Sequence, residues 1–129
     1  MFPILETTLI FTNAKSIDAV RYFKTIFLED ATHFLEQLDD KTRLKVIYNI
    51  DKAEQSNDPK LFKKLDHEIW EFRTRHMGRQ IRLFAFWDTT EKNSTLVIAT
   101  HGAIKKYDRI KSSDFQRALQ WKERYFNHK

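Results

Sequence analysis

From Ile69 onward the apolar residues recur every second position: Trp70, Phe72 and Thr74 fall on one side, Glu71, Arg73 and Arg75 on the other. Side chains alternate across a strand with that period, so the segment is predicted to be half of a two-sided sheet. Ile81 to Trp87 follows, apolar or aromatic throughout except for Arg82, and Thr95 to Thr100 has the β-branched content of a central strand. His76-Met77-Gly78-Arg79 supplies a tight turn in which Gly78 is free to take positive φ, and Asp88 to Ser94 is a polar hairpin loop. Three successive strands joined by hairpins form an antiparallel meander.

Upstream the period changes to that of a helix. Ala31, Phe34, Leu35 and Leu38 line one face of a first helix that opens at Glu29-Asp30; Leu44, Ile47, Ile50 and Ala53 line a second, capped by Asp39-Asp40. Two or three residues between them make an antiparallel helical hairpin, which Gln55-Ser56-Asn57-Asp58-Pro59 ends. Arg21 to Leu28 is aromatic and β-branched, as strands are. A last helix is marked by Ser113 and Gln116 at capping-box spacing, with Phe115, Ala118, Leu119 and Lys122 on one face, running on to Tyr125-Phe126. With only 2 glycines and 2 prolines, little interrupts these elements. The expected class is α+β: a helical hairpin packed on a twisted antiparallel sheet of about four strands, with a C-terminal helix. Residues 21–129 form the domain, and residues 1–20 an extension without a readable period.

The chain has no cysteine, which excludes a disulfide framework, a thiolate zinc site and a cysteine nucleophile. No apolar run approaches the ~20 residues of a bilayer span, and MFPILETTLIF carries no Lys or Arg of a secretory signal. The cytoplasm is the expected location, with no membrane partner. The net charge of +5 is unevenly spread: residues 59–129 hold twice as many basic as acidic residues, whereas acidic residues outnumber basic ones before them. A basic half predicts a phosphate-bearing partner.

His33, His67, His76, His101 and His128 show no metal-ligand spacing, and two glycines cannot build a phosphate loop. No metal site and no cofactor are expected. What remains is a basic set on and after the meander: Arg73, Arg75, Arg79, Arg82, His101, Lys105, Lys106, Arg109 and Lys111. Guanidinium forks match phosphate oxygens, and rings stack bases. The rings of Trp70, Phe72, Phe84, Phe86 and Trp87 read as core, whereas Tyr107 sits in a basic loop and is the expected stacking ring. Arg82, alone in an apolar strand, must pair with a carboxylate, Glu71 being a plausible cross-strand neighbour, or face a functional groove.

The segments Ile69-Trp70-Glu71-Phe72-Arg73-Thr74-Arg75, Ile81-Arg82-Leu83-Phe84-Ala85-Phe86 and His101-Gly102-Ala103-Ile104-Lys105-Lys106 resemble the RelE/ParE toxin superfamily, and within it the phage-derived, HigB-like branch. The resemblance spans about residues 21–126 and implies a RelE-like fold. It also implies a ribosome-linked messenger-RNA endonuclease of a type II toxin–antitoxin system, held silent by a helix-turn-helix, HigA-like antitoxin. In such enzymes the ribose 2′-OH attacks the adjacent phosphate without a metal or cofactor and leaves a cyclic phosphate. By position, Arg73 and Arg82 would hold the phosphate and Lys105 or Lys106 would serve as cation or acid. The base is open between His101, with a resting pKa near neutrality, Glu71, and a depressed lysine. Arg75, Arg79, Tyr107, Arg109 and Lys111 would bind RNA. Ribosome-dependent relatives carry lysines on the first meander strand, where this chain has Glu71, Arg73 and Arg75. Two other functions fit the same fold: a ParE-like gyrase inhibitor without nuclease activity, and a non-catalytic RNA-binding module.

Overall fold

The computed structural model describes residues 5–6, 20–105 and 110–128. Strands β1 (Leu5–Glu6) and β2 (Lys24–Phe27) are followed by helices α1 (Glu29–Glu36) and α2 (Asp40–Ser56). Then come β3 (Phe62–Lys64), β4 (Trp70–His76), β5 (Arg79–Asp88), β6 (Leu96–Lys105) and α3 (Ser112–Asn127). The chain is α+β with a RelE-like arrangement, and among the described residues the strands form one sheet in the order β1-β2-β6-β5-β4-β3.

The expected meander is present: β4, β5 and β6 pair antiparallel, and Met77 (φ 52) and Gly78 (φ 75) make the left-handed turn between the first two. The sheet is nevertheless mixed rather than wholly antiparallel, because β2 lies parallel to β6, with Lys24 opposite Leu96 and Phe27 opposite Ala99. It is also wider than four strands. Phe62–Lys64 adds an edge strand to β4, and Leu5–Glu6, within the predicted extension, pairs with β2 at the other edge. Strands this short carry too few residues for a period to be read.

Two apolar layers hold the sheet. On one face Phe27, Phe72 and Leu83 of the sheet bury against Leu35, Ile47 and Ile50 of the α1–α2 hairpin; on the other, Ile98, Phe84 and Phe86 pack under Ala118, Trp121 and Tyr125 of α3. The rings of Phe72, Phe84 and Phe86 are core, as the alternation requires, and Trp70 and Trp87 join an aromatic cluster around Phe62. Asp39 caps α2, accepting from the Thr42 amide at 3.1 Å and from its hydroxyl at 2.7 Å; these bonds lower its pKa to about 2. Asn57 ends the helix in the left-handed conformation (φ 57).

Three local expectations fail. Leu44 is 66% exposed, because the buried stripe of α2 runs through Val46, Ile47 and Ile50. The Ser113–Gln116 capping box does not form: α3 begins two residues earlier, with Lys111 as its N-cap and no side-chain cap bond. Trp121, rather than Lys122, continues the buried face of α3.

Gly102 sits in the middle of β6, where a Cβ would lie 2.2 Å from the Phe34 ring. The ring of α1 thus occupies the space a side chain would need. Gly102→Ala is expected to destabilise by about 1–3 kcal/mol through overpacking. Adding Phe34→Ala should recover part of that loss in urea titrations, and an unaffected single variant would mean that Phe34 moves aside freely.

Candidate functional site

A bulge in β6 decides which side chains share a face. Phe84 pairs with His101 and Ala85 with Ala99, so Thr100 is the extra residue. Its hydroxyl reaches the Phe84 carbonyl at 3.2 Å. One additional residue inverts the alternation. Ile98 lies on the α3 side; without the bulge Thr100, Gly102 and Ile104 would follow it there. Instead His101 stacks on Phe84 on that side, Ala103 joins the same apolar cluster, and Gly102 is turned toward Phe34. Lys105 therefore shares the face of Glu71, Arg73 and Arg75 on β4 and of Gln80 and Arg82 on β5.

At the centre is an ion pair almost shut off from solvent: Arg82 is 3% exposed and Glu71 1%. Arg82 Nη1 donates to both Glu71 oxygens at 2.9 Å, and Nη2 donates to Gln80 Oε1 at 2.7 Å. The carboxylate pairing expected of Arg82 is present. Arg82 pairs with Glu71 diagonally across the strands, and it also helps line a cleft of about 390 Å³. The cleft is completed by Lys60, Arg73, Thr74, Arg75, Gln80 and Ile81. Arg73, directly opposite Arg82 in the register, places Nε 3.7 Å from Glu71 Oε2, and its side chain is 31% exposed. Two guanidiniums thus share one carboxylate, leaving an excess of positive charge toward the cleft. Arg75 is exposed on its wall and has no ion-pair or hydrogen-bond partner among the described residues.

Beside this group, Lys105 Nζ donates to Asp114 in the first turn of α3, and Asp114 Oδ1 lies 3.8 Å from His101 Nε2. The Thr100 hydroxyl lies 3.2 Å from the Phe84 carbonyl and 2.9 Å from His101 Nδ1, which leaves Nε2 at the other edge of the ring. That buried nitrogen has no hydrogen-bond partner among the described residues. Burial, then the nearby Arg117 charge, lower the His101 pKa to about 4 against the opposing pull of Asp114 and Asp30. The expectation of a near-neutral His101 is therefore corrected: desolvation outweighs its acidic neighbours.

The shift has a consequence for stability. A histidine whose folded pKa lies below its ordinary 6.5 contributes stability that is whole above that pH and lost as pH falls through about 4. Urea midpoints of the wild type are expected to drop over this window more steeply than those of His101→Gln. Parallel profiles would mean that the imidazole titrates normally.

The cleft does not gather every expected residue. Arg79 points to the helical side, with Nη2 3.1 Å from Thr42 Oγ1 and 3.4 Å from Asp39 Oδ1, and clamps the β4–β5 turn to α2. Its odd position in β5 places it opposite Gln80 and Arg82. Lys111 is exposed at the start of α3 and lines a second pocket rather than the cleft. Lys106, Tyr107 and Arg109 lie outside the described residues. Sequence reasoning missed Gln80, Asp114 and Lys60. Gln80 was open to discovery as the neighbour two positions from Arg82, but Asp114 and Lys60 reach the face only through tertiary packing.

A helical hairpin and a C-terminal helix on opposite faces of a mixed sheet, with a basic cleft on the α3 side, make up a small domain of the RelE/ParE-like kind. The family model for phage derived protein Gp49-like (DUF891) matches residues 33–123, most of the chain, and the protein belongs to that family, within the RelE/ParE-like toxins of toxin–antitoxin systems. Membership implies a cognate antitoxin. No curated protein matches the chain. Among the described residues no helix is long and apolar enough to cross a membrane.

Proposed function

We propose that this toxin is a metal-independent endoribonuclease of the HigB-like branch that cuts messenger RNA at the ribosome in the cytoplasm and is silenced by a helix-turn-helix, HigA-like antitoxin. The observation that carries the reading is the gathering of Arg73, Arg82, Glu71 and Lys105 on one sheet face, with the two arginines lining a cleft open to a phosphodiester. Arg73 and Arg82 hold the non-bridging oxygens, with their forks preorganised by Glu71 and Gln80. Glu71 accepts the proton of the 2′-OH as that oxygen bonds to phosphorus. The bond from phosphorus to the 5′-oxygen breaks, and the leaving oxygen takes a proton from the Lys105 ammonium. The products are a 2′,3′-cyclic phosphate and a 5′-hydroxyl. Glu71 takes the base role in this reading because its carboxylate is the group that Arg73 and Arg82 share.

RNA termini decide the matter. After induction in a bacterial host, sequencing should find new messenger-RNA ends carrying cyclic phosphate. Growth arrest with intact messages and damaged DNA would replace this reading with a ParE-like gyrase inhibitor. RNA binding without new ends would leave a non-catalytic module.

A further inference from the structure

We infer that a second pocket on the same side of the sheet, between the β3–β4 turn and the start of α3, seats the base of a nucleotide flanking the scissile phosphate. The inference rests on the ribonuclease reading and adds a substrate subsite to it. The pocket measures about 540 Å³, within the roughly 300–1,000 Å³ typical of small-molecule sites. Its apolar wall is Leu65, Ile110 and Phe115, all half-buried. Its rim carries Lys63, Lys64 and Lys111 and, among the described residues, the one carboxylate of Asp66.

Three observations connect this pocket to RNA. Lys63 is the register partner of Glu71, so its side chain emerges on the face of the buried ion pair and links pocket to cleft. Lys64 is held by Glu68 at 2.9 Å, whereas Lys63 and Lys111 are exposed and have no ion-pair partner among the described residues. They present ammonium groups to phosphates on either side of a base. Finally, the His67 ring stands edge-on to Phe115 at 5.7 Å, from a turn in which His67 (φ 51) and Glu68 (φ 63) are both left-handed. Asn-Gly suits such a turn without strain. Two non-glycine residues accept the conformation, and it sets the His67 ring against Phe115, which lines the pocket. An apolar wall with a ring face and a lysine rim is complementary to a nucleobase with its phosphates, which stack and pair in that manner on single-strand binding proteins.

Binding is read by fluorescence anisotropy of the full chain with a labelled hexaribonucleotide, 2′-O-methylated throughout so that attack is blocked. Each base is replaced in turn by an abasic unit. In the wild type one abasic position is expected to weaken binding roughly tenfold, and Phe115→Ala to weaken the intact oligomer by a similar factor. In Phe115→Ala that abasic penalty should vanish, which loss of packing alone would not produce. Phe115→Leu, which keeps apolar volume without a ring face, repeats the test should the alanine variant unfold. Lys63→Ala with Lys111→Ala should lower the salt slope by about two.

Unchanged affinity in the Phe115 variants, or an abasic penalty that persists in them, overturns the subsite while leaving the nuclease reading intact. Failure of the wild type to bind RNA at low salt overturns both. Poly-glutamate binding that Phe115→Leu abolishes, with RNA binding unaffected, would assign the pocket to an acidic protein segment and overturn the proposal.

Discussion

Arg82→Ala is expected to cost the fold on the order of 3–5 kcal/mol, measured as a lowered urea midpoint at unchanged slope. The loss comes from what is left behind. Glu71 is 1% exposed, and both its oxygens accept from Arg82 Nη1 at 2.9 Å. Truncating the arginine strands a carboxylate in the sheet face, with only the Arg73 Nε at 3.7 Å to answer it among the described residues. Replacing both partners should reverse most of the effect: Glu71→Met with Arg82→Met removes the charges together, and paired apolar substitutions of similar volume are often neutral. A single variant as stable as the wild type would mean that water reaches Glu71. Because stability and activity fall together at this position, the loss of toxicity in Arg82→Ala cannot by itself identify a phosphate ligand.

The meander and the helical hairpin were legible because their apolar residues keep a strict period over many positions. Trp70, Phe72 and Thr74 alternate with Glu71, Arg73 and Arg75, and the structure preserves that division. The parallel pairing of β2 with β6 was not legible, since a strand's own residues do not name its neighbour. The site was legible in its residue types but not in its arrangement. Alternation continued from Ile98 turns Lys105 away from Arg82, and the single residue Thr100, inserted opposite Phe84, brings it back. No local propensity marks that bulge. Arg79 shows the opposite failure: its charge suggested RNA, but its odd position in β5 turns it to Asp39 and Thr42 on the helical side. His101 was misjudged through its surroundings, which no spacing reveals. Phe84 and α3 bury it, and a group taken out of water resists charge.

Arg73→Ala is expected to separate chemistry from folding, lowering single-turnover cleavage of RNA by about 10²–10³-fold with stability kept within ~1 kcal/mol. Its side chain is 31% exposed and only loosely tied to Glu71, so little is left unpaired when it is removed. The register argues further for tolerance. Arg73 and Arg82 stand directly opposite each other, and like charges so placed repel; Glu71 is what holds them together. A chain that keeps two facing guanidiniums gives up some stability to do so, and in the proposed ribonuclease reaction a dianionic transition state would turn their repulsion into attraction. Arg73→Lys should restore only part of the rate, because an ammonium supplies the charge without the two-pronged geometry. Cleavage at the wild-type rate in Arg73→Ala would place the phosphate somewhere other than this cleft, whatever the toxin does to the cell.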